Sequence, residues 1–297
     1  GAVASVDALT KIIGYLLLPI YLGLMPKEEF GEYGFIVAAL APFSLIVGLG
    51  LYVPFIRSFC SSDDDNRRCE LVSTVFNGLL LWLIALDIIT LALKPWLITS
   101  FCEFFGVGRY ATEKYHLTLL LINTNVALLY CYSLLIARKH TAEIVAFTLI
   151  KFGLTAALSL AVLYFGTATQ DSAANRLLGT AAAELTVLAI FVVARTRQYL
   201  KPTIVRSILI DHVRLASPLI LSALLGLLNA VIDRKLLEAH HGLGELAGYN
   251  LATQALAPIP MLMAAVQLAW APQLFAITER RTAFSSSLRV MYFSCAA

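Results

Sequence analysis

Lys151 stands in the middle of an apolar run, Thr141–Phe165. Ten residues into a helix place it roughly 15 Å from the run's start, beyond easy reach of either surface. A charge at the centre of a membrane helix costs about 2.5–3.5 kcal/mol on insertion scales, so it is a functional-site candidate by default. Such a lysine either receives an anionic ligand in a cavity or pairs with a carboxylate on a neighbouring helix. Four more polar residues, Asp87, Asn123, Asn125 and Glu184, lie seven to nine residues from the same-side ends of their own runs. That is a common depth of roughly 10–13 Å, and Gln254 falls near it. Such a belt suits the wall of a water-filled cavity, and interhelical hydrogen bonding explains it equally well. Asp87 and Glu184 are the candidates for carrying a coupling proton or cation.

Asp233 and Arg234 close another run, Leu215–Ile232, at the outer surface. They read either as an interfacial ion pair or as a cation facing an anionic group. Lys11 and Arg57 lie toward the opposite mouth, where ligand contact and ordinary anchoring by basic residues compete. Catalytic patterns are missing. The five histidines lie at run ends or in connections, and the five cysteines form no C-x-x-C pair. No nucleophile elbow, phosphate loop or dinucleotide fingerprint occurs. No metal site, cofactor or enzymatic activity is expected.

The elements that must position these residues are membrane spans. Of the 297 residues, 59% are hydrophobic and 14% charged, against about 25% charged in ordinary soluble domains. The net charge of +3 is too small and too dispersed for a nucleic-acid binder. Apolar runs long enough for a bilayer core occur at Ile12–Met25, Tyr33–Ile56, Leu71–Leu93, His116–Ala137, Thr141–Phe165, Leu177–Ala194, Leu215–Ile232 and Leu246–Ile277, and a ninth starts near Leu288. The expected fold is an all-α integral membrane protein of eight to nine transmembrane helices. With the N-terminus in the cytoplasm, fourteen Lys and Arg fall in inner segments and seven in outer ones, which favours that orientation. The expected organisation is a six-helix lobe over 1–195, a basic surface-lying linker over 196–214, and the start of a second lobe over 215–297.

A repeat supports two lobes. Residues 29–43 (EFGEYGFIVAALAPF) and 245–259 (ELAGYNLATQALAPI) share six of fifteen positions at an offset of 216, including Glu29/Glu245, Tyr33/Tyr249 and Pro42/Pro258. The two copies are six spans apart, so they run in the same direction and imply a repeat axis along the membrane normal. Repeats of this kind are a transporter signature, and two such units would make about 432 residues in roughly twelve spans. The chain is therefore expected to be a piece of a longer protein.

The same stretches carry a family resemblance. Leu18-Pro19-Ile20-Tyr21 and Met25-Pro26-Lys27-Glu28-Glu29-Phe30-Gly31-Glu32-Tyr33 resemble the first turn of the polysaccharide biosynthesis proteins, the O-antigen and lipid-linked oligosaccharide flippases of the MATE-like exporter superfamily. Gly48-Leu49-Gly50-Leu51, Ile56-Arg57-Ser58-Phe59, Pro218-Leu219-Ile220, Asp233-Arg234, Gly248-Tyr249 and Trp270-Ala271-Pro272 continue it. The acidic run Asp63-Asp64-Asp65 departs from the pattern. The resemblance implies a two-lobe flippase in a bacterial inner membrane, moving an isoprenoid pyrophosphate that carries a glycan, with membrane lipids and a coupling ion as partners. Competing readings are a drug or cation exporter of the same superfamily, which favours an acidic cavity, and a membrane enzyme of glycan assembly, which needs substantial outer loops. The flippase is the favoured reading because the motifs resemble that family, and Lys151 and Arg234 suit an anionic substrate better than a cation.

Overall fold

Leu49 and Gly50 both take left-handed backbone angles, φ 55° and 58°, and they break an apolar run that hydropathy carries straight through. The span expected at Tyr33–Ile56 is therefore two helices, α2 (Lys27–Val47) and α3 (Tyr52–Ser61). Carbonyls freed inside a membrane need donors. Trp82 Nε1 donates to the Val47 carbonyl at 2.9 Å, and the Tyr130 hydroxyl donates to that of Gly48 at 3.0 Å.

The structure is a computed structural model and describes residues 2–62, 64–107, 110–165, 170–192 and 201–256. Among the described residues every regular element is a helix. α1 (Ala2–Leu24) precedes α2 and α3; α4 (Asp65–Ala92), α5 (Lys94–Phe105), α6 (Ala111–Ala137), α7 (Thr141–Phe165), α8 (Ser172–Phe191) and α9 (Arg206–Ala255) follow. Six of them (α2, α4, α6, α7, α8 and α9) are long and apolar enough to cross a membrane, and α1 adds a shorter apolar stretch, Leu9–Leu24. This is a multi-pass membrane protein.

Several helices start earlier than hydropathy suggests, because polar caps extend them beyond the apolar core. Asp64 accepts from the Asn66 amide at 3.0 Å to open α4, which gives part of the acidic run a capping role. Asp171 accepts from the Ala174 amide at 3.0 Å to open α8. Each satisfies a helix-terminal amide that would otherwise lack a partner. The stretch after α4, expected as a connection, forms α5, with a proline in its first turn and Gly106 as its left-handed cap.

α9 contains two of the expected spans. At Gly242 its backbone takes φ 78°, ψ 176°, a geometry open essentially to glycine alone. The chain folds back there, and Arg234 meets Asn250 across the hairpin. Expected span 7 lies in its first arm and the start of span 8 in its second. The rest of span 8, with Pro258, and the ninth run lie outside the described residues. The described part of the linker is ordered. Its last part is already helical from Arg206, and residues 201–205 are strapped along α4. The Ser73 and Thr74 hydroxyls accept from the Lys201 and Val205 amides at 3.0 and 3.2 Å, while Asn77 donates to the Lys201 and Thr203 carbonyls at 2.7 and 3.2 Å.

Half of the most apolar stretch of α2, α6 and α8 is buried inside the protein, against 17% for α4, α7 and α9. The first three form the centre, and the others lie at the periphery of the described residues. Leu80, Ile84, Ile88 and Leu91 on α4, and Leu221, Leu225, Leu228 and Ile232 on α9, form exposed apolar stripes at helical spacing. α2 packs on the second arm of α9 so closely that a Cβ on Gly31 would collide with the Leu243 carbonyl and press on the Ala247 amide, and one on Gly34 would strike the Asn250 side chain. Gly31 and Ala247, and Gly34 and Asn250, are repeat mates at the 216 offset. Helices related by a twofold axis touch their own mates where they meet on that axis.

Candidate functional site

Successive α6 residues turn by about 100°, so residues two apart face roughly opposite ways. Asn123 and Asn125 use this to serve two neighbours. Toward α4, Asn123 Nδ2 donates to both Asp87 oxygens, at 2.9 and 3.0 Å. Toward α8, Asn125 Nδ2 donates to both Glu184 oxygens, at 3.1 and 2.9 Å, and Thr124 Oγ1 donates to Glu184 Oε2 at 2.7 Å. Lys151 of α7 completes the second cluster, its Nζ lying 3.2 Å from Glu184 Oε1.

Lys151 meets both a carboxylate and an open cavity. It is paired, with a carboxylate whose side chain is 5% exposed, yet its own side chain is 33% exposed. It lines a cavity of about 500 Å³ between α6 and α7, together with Asn125, Tyr132, Thr148 and Thr155. The Thr155 hydroxyl has no hydrogen-bond partner. A partly exposed cation, an amide and hydroxyls share this concave wall with Leu128, Leu129, Phe147 and Phe152, and such polar groups can replace part of the hydration of an anion or a sugar.

The other candidates stand apart. Arg234 is engaged inside the α9 hairpin: Nε donates to Asn250 Oδ1 at 3.1 Å, Nη1 to the Ala230 carbonyl at 2.5 Å, and the guanidinium lies 5.2 Å from the Tyr249 ring centre. Asp233 accepts from the Tyr249 hydroxyl at 3.3 Å. This pair fastens the two arms of the hairpin. Lys11 on α1, Arg57 on α3 and Gln254 near the end of α9 are exposed and do not line the Lys151 cavity. Among the described residues there is no cluster of three or more metal-ligating side chains.

Sequence reasoning missed a third ionic cluster. Lys114, counted there among the outer cations, is fully buried at the start of α6. Its Nζ sits 2.6 Å from Glu32 Oε1 and 2.7 Å from Asp171 Oδ2, which ties α2, α6 and the cap of α8 together. Glu29 accepts from the Ser172 amide at 2.6 Å beside it. Arg176 is layered between aromatic rings, 3.7 Å from the Tyr21 centre and 4.0 Å from that of Tyr33. Lys114, Thr118 and Leu121 share one helix face, and all three are buried.

The model of the polysaccharide biosynthesis protein family matches residues 1–278. The chain belongs to that family. No curated protein matches it in sequence. In fold, this family member is similar to a solved multidrug resistance MATE family transporter of the MOP superfamily in its inward-facing conformation. The TM-score is 0.57 at 18% identity, over 88% of this chain and 66% of that one, so this chain spans just under two thirds of that transporter's length. At this identity the likeness concerns the fold.

Proposed function

We propose that the protein is a membrane exporter that flips a lipid-linked oligosaccharide across the bilayer, with the anionic pyrophosphate received by Lys151. One observation carries this reading: a lysine at membrane depth that is ion-paired yet open to a cavity where Asn125, Thr148 and Thr155 lie among apolar side chains. Leaving Glu184 for a phosphate oxygen exchanges one anion for another. Glu184 keeps its bonds from Asn125 and Thr124 meanwhile, which lowers the cost of leaving its charge without the lysine. Asp87 and Glu184 are the groups proposed to take a coupling proton or cation. The N-terminus would lie in the cytoplasm, on the distribution of basic residues, and the membrane would be a bacterial inner membrane, on the family resemblance. Lobes over 1–195 and 215–297 would rock about the α2–α9 contact, where repeat mates meet.

The fold neighbour keeps a drug or cation exporter in view, although the carboxylate nearest this cavity, Glu184, is buried behind it and already paired with Lys151. Proteoliposomes separate the two. A fluorescent isoprenoid-pyrophosphate-linked sugar should become reachable by an impermeant oxidant faster with protein than without. Efflux of a lipophilic cation with no movement of the lipid-linked sugar would overturn the proposal.

A further inference from the structure

The turn between α3 and α4 packs against the first arm of α9 and encloses a cavity of about 290 Å³, lined by Ser58, Ser61, Ser62, Arg67, Asp211 and His212. None of these residues belongs to the Lys151 cluster, and Arg57, the sequence candidate nearby, does not line it. A water molecule's share of the liquid is about 30 Å³, so there is room for a tetrahedral anion and its remaining waters.

Two buried polar atoms around this cavity have no hydrogen-bond partner: Ser62 Oγ and His212 Nε2. His212 is only 6% exposed, and unpaired buried polar atoms are rare enough to call for a ligand or water. Its Nδ1 lies 2.7 Å from the Ile208 carbonyl. A carbonyl only accepts, so Nδ1 carries the hydrogen. Nε2 then meets a ligand as a lone pair or, on the imidazolium, as a second donor. A phosphoryl group satisfies both cases, because it carries a hydroxyl in one protonation state and only acceptors in the next. Arg67 adds a guanidinium suited to paired phosphate oxygens, and no described residue is seen pairing with it. The Ser58 and Ser62 hydroxyls add donors, whereas Ser61 already donates to the Ser58 carbonyl at 3.1 Å. Asp211 also lines the cavity; it is exposed, so water screens its charge. Arg68 is committed elsewhere, 3.3 Å from Asp65 and stacked over Phe59.

We infer that this cavity is a phosphoryl-anion site, formed by Arg67, His212, Ser58 and Ser62 at the face that bears the basic connections. Its anion is either the headgroup of a phosphate-bearing lipid or free phosphate. The inference is independent of the flippase reading, since it concerns binding without transport. The test is native mass spectrometry of the intact protein released from detergent, titrated separately with inorganic pyrophosphate, phosphatidic acid and phosphatidylcholine. Saturable adducts with pyrophosphate identify free phosphate as a ligand. Adducts with phosphatidic acid in excess of phosphatidylcholine, without pyrophosphate adducts, identify the lipid headgroup. In either case Arg67→Ala and His212→Gln should each weaken binding at least tenfold. Arg67 is exposed, so its variant should fold even if the buried histidine does not tolerate replacement. Absence of both adducts, or wild-type affinity in Arg67→Ala, overturns the inference.

Discussion

Replacing Lys151 with alanine, alone and together with Glu184→Gln, separates the two roles that the lysine combines. At 3.2 Å and an effective dielectric of about 20, the gross attraction of the pair is about 5 kcal/mol. Most of it offsets the cost of keeping both charges out of water, and the partial exposure of Lys151 screens the remainder. Removing the cation strands a carboxylate that is 5% exposed, which costs about 3–5 kcal/mol when nothing compensates. The bonds from Asn125 and Thr124 reduce that to about 2 kcal/mol, near a thirtyfold change in the folded-to-unfolded ratio. Lys151→Ala should therefore lower membrane abundance and melting temperature. Adding Glu184→Gln removes the stranded charge and should restore both. If Lys151 receives the anion, surface glycan stays low in the double variant although abundance recovers. Lys151→Arg should retain part of the activity. The assay is quantitative immunoblotting of membranes beside surface polysaccharide, normalised to protein. Glycan that recovers in step with abundance in the double variant refutes the cavity role and leaves a structural ion pair.

Lys114→Ala should be more damaging, because it strands two carboxylates with side chains 6% exposed. A loss of about 3–5 kcal/mol should appear as near absence from the membrane, with partial recovery on adding Glu32→Gln and Asp171→Asn. Gly31→Val should drive α2 off the Leu243 carbonyl, an overpacking cost of about 1–3 kcal/mol, whereas the same change at Gly153, which has open space, should leave melting unchanged. Arg234→Ala should loosen the α9 hairpin, and limited proteolysis near Gly242 should accelerate with little effect on cleavage elsewhere. Single cysteines on a Cys-less background should react with an impermeant thiol reagent from the cytoplasm in the 61–69 turn and the 196–213 linker, and from the outside near Gly106 and beside Gly242; cytoplasmic labelling beside Gly242 would reverse the assigned orientation.

The membrane class and the helical architecture were legible in the sequence, because a bilayer demands long apolar runs and tolerates few charges within them. Asn123, Asn125, Asp87, Glu184 and Lys151 stood out for the same reason: polar residues in apolar runs are conspicuous, and helical rise gives the first four a shared depth. Hydropathy could not say that Asn123 turns to Asp87 while Asn125 turns to Glu184, because partner choice depends on which helices flank α6. The break at Gly48–Leu51 escaped it too, since a turn closed by Trp82 and Tyr130 can stay apolar. Lys114 escaped for the opposite reason: next to a connection, a lysine looks solvated until Glu32 and Asp171 arrive from distant segments to neutralise it. The cavity at the α3–α4 turn draws on serines, an arginine and a histidine about 150 positions apart in sequence. Sequence determines which residues a membrane cannot leave alone; only the packing of helices decides which of them meet, because burial and pairing belong to neighbours that the linear order does not name.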